Sequence, residues 1–95
     1  MAAYAIGSLT IHNTDWQKEY GEKMPALIQK HSGKVLAKSL ALSLEGASSL
    51  PDAVVIIEFP SPEQAQAWYA DPDHERLKQL RRSGADLDLL LVNGL

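Results

Sequence analysis

The stretch Ala53-Val-Val-Ile-Ile-Glu-Phe59 runs directly into Pro60-Ser61-Pro62-Glu63-Gln64, and this junction decides the fold. The β-branched and aromatic residues of the first segment predict a strand. Ser61 followed by Gln64 forms a capping box, and Pro62 stands at the first helical position, so a helix begins there. The junction is therefore a buried strand followed at once by a helix.

A second helix start follows in the same half of the chain. Asp71-Pro72-Asp73 again combines a capping residue with proline at the first helical position, which restarts the helix in a new direction. Gly84 ends this second segment, and residues 87–92 form the last strand. Helical spacing places three side chains on one face of the second segment: His74, Leu77 and Arg81.

The first half of the chain predicts a strand and then a helix. Residues 4–11 alternate with period two, as a half-buried strand does. Asn13 or Thr14 can cap the helix that follows. Pro25 must kink or interrupt that helix, and Gly33 supplies its C-terminal stop. The buried stripe of the helix comprises Trp16, Tyr20, Met24, Leu27, Ile28 and His31.

Between the two halves, residues 35–44 predict a second strand because their leucines fall in phase, with Lys38 interrupting the same face. Residues 45–52, which contain Gly46 and Pro51, predict a connecting loop. The resulting order is βαββαβ. That order is typical of the ferredoxin-like α+β fold, in which a four-stranded antiparallel sheet carries both helices on one face.

The second face of the sheet is left uncovered by this arrangement. An open antiparallel face alternates polar and apolar residues, yet residues 54–57 and most of 87–92 are apolar in both directions. We therefore predict a homodimer that packs sheet against sheet, so that each chain is half of a dimeric α+β barrel. A monomer of the 10.4 kDa chain mass in light scattering would contradict this prediction.

Composition describes one small domain spanning residues 1–95. The chain has 45% hydrophobic and 22% charged residues and no cysteine, which removes disulfides, thiol catalysis and cysteine-ligated metals and favours the cytoplasm. A net charge of −3 without a basic block argues against nucleic-acid binding. No signal peptide or membrane-length apolar run is present, so no membrane association is expected.

Residues 55–61, followed by Ala65, Ala67-Trp68-Tyr69 and Pro72, resemble the bacterial domain of unknown function 1330 family. The resemblance covers essentially the whole chain, and its specific part is the block Glu58–Ser61 with Ala67–Tyr69. It implies a dimeric α+β barrel and no established activity. The sequence departs from the family pattern at three positions, where Lys38 stands for Arg, Asp71 for Ser and His74 for Tyr.

The resemblance to dimeric α+β barrels implies a small-molecule site between helices and sheet. The candidate ligand-binding residues are Trp16, Tyr20, Lys38 and Trp68, and the candidate catalytic residues are His74, Glu58 and Arg81. Glu58 ends an apolar strand, where an ionised carboxylate requires a partner. A structural ion pair with Arg81 is the alternative to a catalytic role for it. For the aromatic residues the alternative is core packing, and for His74 it is a solvated or capping histidine.

Three functions stay open at this level. The first is a homodimer that binds a small organic molecule, aromatic or carboxylated, between helices and sheet. The second is a cofactor-free oxidoreductase or isomerase with His74 or Glu58 as base and Arg81 stabilising negative charge. The third is a purely structural dimer. No metal site is predicted because the three histidines lie on separate elements, and no nucleotide motif or other cofactor motif is present.

Overall fold

The computed structural model describes residues 1–46 and 49–95. Four strands and three helices follow one another as β1 (Ala3–Ile11), α1 (Gln17–Lys30), β2 (Lys34–Ser39), β3 (Ala53–Phe59), α2 (Pro62–Ala70), α3 (Pro72–Arg82) and β4 (Ala85–Asn93). The sheet has the order β2-β3-β1-β4, and every neighbouring pair is antiparallel. This is the predicted ferredoxin-like α+β fold, with the second helix divided in two.

The strand register sorts the side chains onto two faces of the sheet. Ala5 lies opposite Ile57 of β3 and Leu91 of β4, and all three face the helices. Their neighbours in the sequence face the other way. That second side, here called the open face, carries Tyr4, Ile6, Ser8, Val54, Ile56, Glu58, Leu90 and Val92.

The core lies between the sheet and the helices. Phe59 has no exposed surface, and Trp68 packs against it with ring centroids 5.2 Å apart. From the helices, the core receives Met24, Leu27, Ile28, Ala65 and Leu77. Burial of this apolar surface is the main stabilising contribution to the fold.

Both predicted helix starts after β3 are confirmed. The Ser61 hydroxyl oxygen accepts a hydrogen bond from the Gln64 backbone N–H at 3.2 Å. The Asp71 carboxylate accepts from the Asp73 backbone N–H at 2.8 Å and separates α2 from α3. Each cap satisfies a backbone donor that the first helical turn leaves unpaired.

The first helix differs from the prediction at its start and in its middle. It begins at Gln17, and Asn13 instead accepts from the Asp15 backbone N–H in the turn before it. The helix runs without interruption through Pro25.

The end of the first helix is a Schellman motif. Ser32, with φ 63°, takes the left-handed position, and the Gly33 N–H reaches back to the Ile28 carbonyl at 2.9 Å. Gly33 is required for space, because a Cβ there would lie 2.6 Å from a ring carbon of Phe59.

The second strand is shorter than predicted. It ends at Ser39, opposite Val54, and the predicted continuation to Leu44 is wrong. Just before β3, Asp52 is hydrogen-bonded to β1 through its N–H and its carboxylate. Since Ser39 lies opposite Val54 and β3 begins at Ala53, β3 does not extend far enough to pair with residues 41–44. Leu40, Leu42 and Leu44 are consequently exposed. Of the predicted loop 45–52, residues 47 and 48 lie outside the described residues.

Candidate functional site

A cavity of about 670 Å³ lies between the helices and the sheet, and we call it the helix–sheet cavity. It is bounded by α1, by the helix-facing sides of all four strands, and by side chains of α2 and α3. Five of the residues singled out in the sequence line it: Trp16, Tyr20, Lys38, Trp68 and Arg81. The structure does not bring His74 and Glu58 into this group.

The aromatic wall of the cavity is held in a defined geometry. Trp16 donates its ring N–H to the Asn13 carbonyl at 2.7 Å, and Tyr20 packs edge-on against it with centroids 5.2 Å apart. Gly84 allows this arrangement, because a Cβ there would lie 2.5 Å from Trp16. The indole is therefore fixed before any ligand arrives.

The charged lining of the cavity is entirely cationic. Lys38 lies opposite Val55 on the helix-facing side of the sheet, and Arg81 enters from α3. Arg81 is only 5% exposed. Among the described residues its Nε has no hydrogen-bond partner and its guanidinium forms no salt bridge. The indole N–H of Trp68 is also buried without a partner in that part of the chain.

His74 lies behind Trp68 rather than in the cavity lining. Its ring is fully buried, 4.7 Å from the Trp68 ring between centroids, so the solvated alternative is wrong. Its Nδ1 lies 3.0 Å from the Trp68 carbonyl oxygen, which can only accept, so Nδ1 carries the proton. Burial lowers the pKa of His74, and the cations Lys78 and Arg81 add to this effect. His74 is therefore a neutral imidazole in the core.

Glu58 lies on the open face, opposite Tyr4 of β1. This neighbouring carboxylate raises the pKa of Tyr4. Arg81 is on the helix side of the sheet, so the postulated Glu58–Arg81 ion pair is wrong. The three candidate catalytic residues do not converge, because strand alternation directs Glu58 away from the helices.

Sequence reasoning missed Lys78, which is 6% exposed. Its ammonium lies 3.8 Å from the centre of the Tyr69 ring and 3.7 Å from the Glu75 carboxylate. The sequence contained a signal for this residue, because Lys78 lies one helical turn after His74 and therefore on the same face of α3. The buried face of α3 thus carries His74, Lys78 and Arg81 in succession.

Two features are absent from the described part of the chain. No group of three histidine, cysteine, aspartate or glutamate side chains there could hold a metal ion. No helix within residues 1–46 and 49–95 is long and apolar enough to cross a membrane.

The fold and its cavity define a ferredoxin-like α+β domain with a partly open cavity between its two layers. The sequence matches the domain of unknown function family DUF1330 over residues 2–95, and the chain belongs to that family. None of the proteins with curated descriptions matches the sequence.

Solved structures share the fold at low sequence identity. A protein of unknown function from Rhodopseudomonas palustris is 19% identical, with a TM-score of 0.81 over 99% of this chain and 82% of that chain. A dimeric ferredoxin-like protein of unknown function from a Jannaschia species is 12% identical, with a TM-score of 0.77 over 99% and 100%. SnoaB, a cofactor-independent oxygenase from Streptomyces nogalater, is 13% identical, with a TM-score of 0.71 over 99% and 93%. These similarities establish the fold.

Proposed function

We propose that this protein is a homodimer that binds a small organic molecule, aromatic or carboxylated, in the helix–sheet cavity of each subunit. The observation that carries the proposal is the cavity itself. Its volume of about 670 Å³ falls within the range of about 300–1,000 Å³ typical of small-molecule sites. Its walls are mostly apolar and include three aromatic side chains. The cytoplasmic location of the protein stays a prediction from its cysteine-free composition.

The open face supports the homodimer. Leu90 and Val92 are 64% and 42% exposed in the isolated chain, and they lie beside Ile6 and Ile56 on the same face. An exposed apolar patch of this kind, on a face that also carries Glu58, Asp86 and Asp88, is unfavourable in water and favours burial against a second copy. Similar structures are described as dimeric ferredoxin-like proteins, which agrees with this assembly.

Each lining residue has a physical role in the proposed site. Trp16 and Tyr20 form one wall against which a flat apolar molecule can stack. Trp68 also lines the cavity and adds to its aromatic surface. Lys38 and Arg81 supply positive charge at the polar part of the ligand.

A cofactor-independent oxygenase or isomerase is the second candidate function. The structural similarity to SnoaB favours it, because that protein is a cofactor-independent oxygenase. Arg81 is the catalytic candidate that lines the cavity and could stabilise negative charge in an intermediate. His74 and Glu58 would need a substrate that reaches them elsewhere, since neither contributes to the cavity lining.

Intrinsic fluorescence tests the proposed binding directly, because both tryptophans of the chain line the cavity. We expect 1-naphthoate or its neutral amide, 1-naphthamide, to quench this fluorescence saturably with one site per subunit and to raise the thermal midpoint. A chain that shows neither effect with either compound up to its solubility limit contradicts ligand binding. That outcome leaves the purely structural dimer.

A further inference from the structure

We infer that the natural ligand of the helix–sheet cavity is an organic anion whose carboxylate binds the guanidinium of Arg81. The inference rests on the proposed function and specifies the ligand class. It follows from an imbalance of charge around one buried side chain. Arg81 is 5% exposed, yet it has no carboxylate partner among the described residues.

A mostly buried guanidinium without a counter-ion is unfavourable, because its Nε has lost hydration without gaining a hydrogen bond in the described part of the chain. Arginine remains protonated in proteins, so this charge cannot be removed by titration. Its planar group matches a carboxylate through two parallel hydrogen bonds. An anionic ligand in the cavity would therefore supply the counter-ion that the described residues do not provide.

The acidic side chains on α3 and at its N-terminus are engaged elsewhere. Asp71 lies 2.8 Å from the Lys30 ammonium and 2.7 Å from the His31 ring. Glu75 is an exposed side chain whose recorded ion pair, at 3.7 Å, is with Lys78.

In the described part of the chain, the acidic side chains of β4 form no ion pair with Arg81. Asp86 and Asp88 lie opposite Thr10 and Ser8, on the open face of the sheet. They border a second cleft, beside β4, that Arg81 also lines, but Asp86 is paired with His12 at 2.8 Å. Neither carboxylate lines the helix–sheet cavity.

The rest of the lining agrees with an anion. Lys38 is the second charged residue that lines the cavity, and no aspartate or glutamate of the described residues lines it. His74, behind Trp68, is neutral and adds no negative charge. The apolar body of the ligand would extend from Arg81 toward Tyr20 and Met24, which line the same space.

Comparing 1-naphthoate with 1-naphthamide tests the inference, because the two differ in charge and hardly in shape. At neutral pH we expect the wild-type protein to bind the carboxylate about 10- to 100-fold more tightly, the range typical of a charged hydrogen bond. Equal affinities for the two compounds overturn the inference and leave the proposed function standing. Failure of both compounds to bind overturns the proposed function and the inference with it.

Variants then assign the preference to Arg81. Arg81→Met keeps most of the side-chain length, removes the charge, and should lose most of the preference for the carboxylate, with Lys38 supplying the remainder. Arg81→Lys should keep part of the preference, because it retains the charge without the planar group. Arg82→Met is the matched control, since Arg82 is an exposed neighbour that does not line this cavity. An undiminished preference of Arg81→Met for the carboxylate over the amide contradicts the inference. If that variant does not fold, the same result with Arg81→Lys contradicts it.

Discussion

His74 donates a hydrogen bond from Nδ1 to the Trp68 backbone carbonyl oxygen at 3.0 Å, and its ring packs beneath the Trp68 indole with centroids 4.7 Å apart. This contact ties the first turn of α3 to the last turn of α2. It also supports the wall of the helix–sheet cavity from behind. His74 is thus a structural residue of the core, and its protonation is coupled to folding.

The first prediction concerns this coupling. Burial lowers the pKa of His74 in the folded state, so the unfolded chain binds the proton more readily. Stability should therefore be fully present above the ordinary histidine pKa of 6.5 and fall as the pH drops below it. His74→Phe, which cannot titrate, should lose about 0.5–1.5 kcal/mol at neutral pH from the lost hydrogen bond to the Trp68 carbonyl, which also accepts from the Asp71 backbone N–H. The deficit should shrink as the solution is acidified.

Urea unfolding at a series of pH values measures this effect. His12→Gln is the comparison, because His12 is an exposed histidine that pairs with Asp86 outside the core, so the effect of His74→Phe should be the same in its presence. A His74→Phe protein with the same pH dependence as the wild type would refute the prediction.

The second prediction concerns Asp71, which links α1 to the junction of α2 and α3. Hydrogen bonds from Lys30 and His31 and from the Asp73 backbone hold the pKa of its carboxyl well below its ordinary value of 3.8. Its contribution to stability is present above that value and disappears as the pH falls through and below it. Asp71→Asn should therefore lower the thermal midpoint at neutral pH, with a smaller difference in acid.

Asp73→Asn provides the comparison for Asp71→Asn, because Asp73 is an exposed carboxylate two residues away with a longer contact to Lys30 of 3.5 Å. We expect a distinctly smaller change in the thermal midpoint for it. Equal changes in the two variants would show that the Asp71 contacts contribute nothing specific.

The third prediction concerns the open face. Ile56 lies opposite Ile6 in its middle, and a charge placed there would be buried unpaired in a sheet-to-sheet dimer. Ile56→Asp should therefore shift the mass in light scattering from twice the chain mass to the 10.4 kDa of one chain. Gln29→Asp, on the exposed side of α1, should remain dimeric. A wild-type protein that is monomeric at micromolar concentration contradicts the dimer itself.

The fourth prediction concerns Gly21, which lines the helix–sheet cavity from the middle of α1. A Cβ at this position meets nothing within 4 Å, so larger residues fit. Gly21→Ala should raise the free energy of unfolding by about 0.5–1 kcal/mol, because glycine is a poor helix former. It should leave naphthamide binding intact.

Gly21→Phe should place a ring where the ligand lies and weaken naphthamide binding about tenfold or more, a loss of at least about 1.4 kcal/mol. Fluorescence titration of both variants provides the measurement. Undiminished binding by Gly21→Phe would place the ligand outside this cavity.

Much of the architecture could be predicted from short segments of sequence. The strand at 53–59 and the helix starts at Ser61 and Asp71 follow from rules that act within one helical turn, namely β-branching, side-chain capping and proline at the first helical position. The aromatic and cationic lining of the cavity was also foreseen, because helical spacing places Trp16 and Tyr20 on one face.

The predictions that failed depend on contacts between distant parts of the chain. The second strand ends at Ser39 because its partner β3 begins at Ala53, and the leucines of 40–44 cannot reveal that register. The burial of His74 could not be predicted from its position near a helix start, because Trp68, the side chain that covers it, belongs to another helix.

The sequence by itself determined the order of the strands and helices and the starts of α2 and α3, because these properties reside in neighbouring residues. Only the tertiary structure decided that Ala5 faces the helices, that Glu58 faces away from them, and that Arg81 is buried with no counter-ion among the described residues. These properties depend on contacts between different elements of the fold. A local sequence pattern predicts which face of a helix or strand is buried, but it does not predict which residues pack against that face.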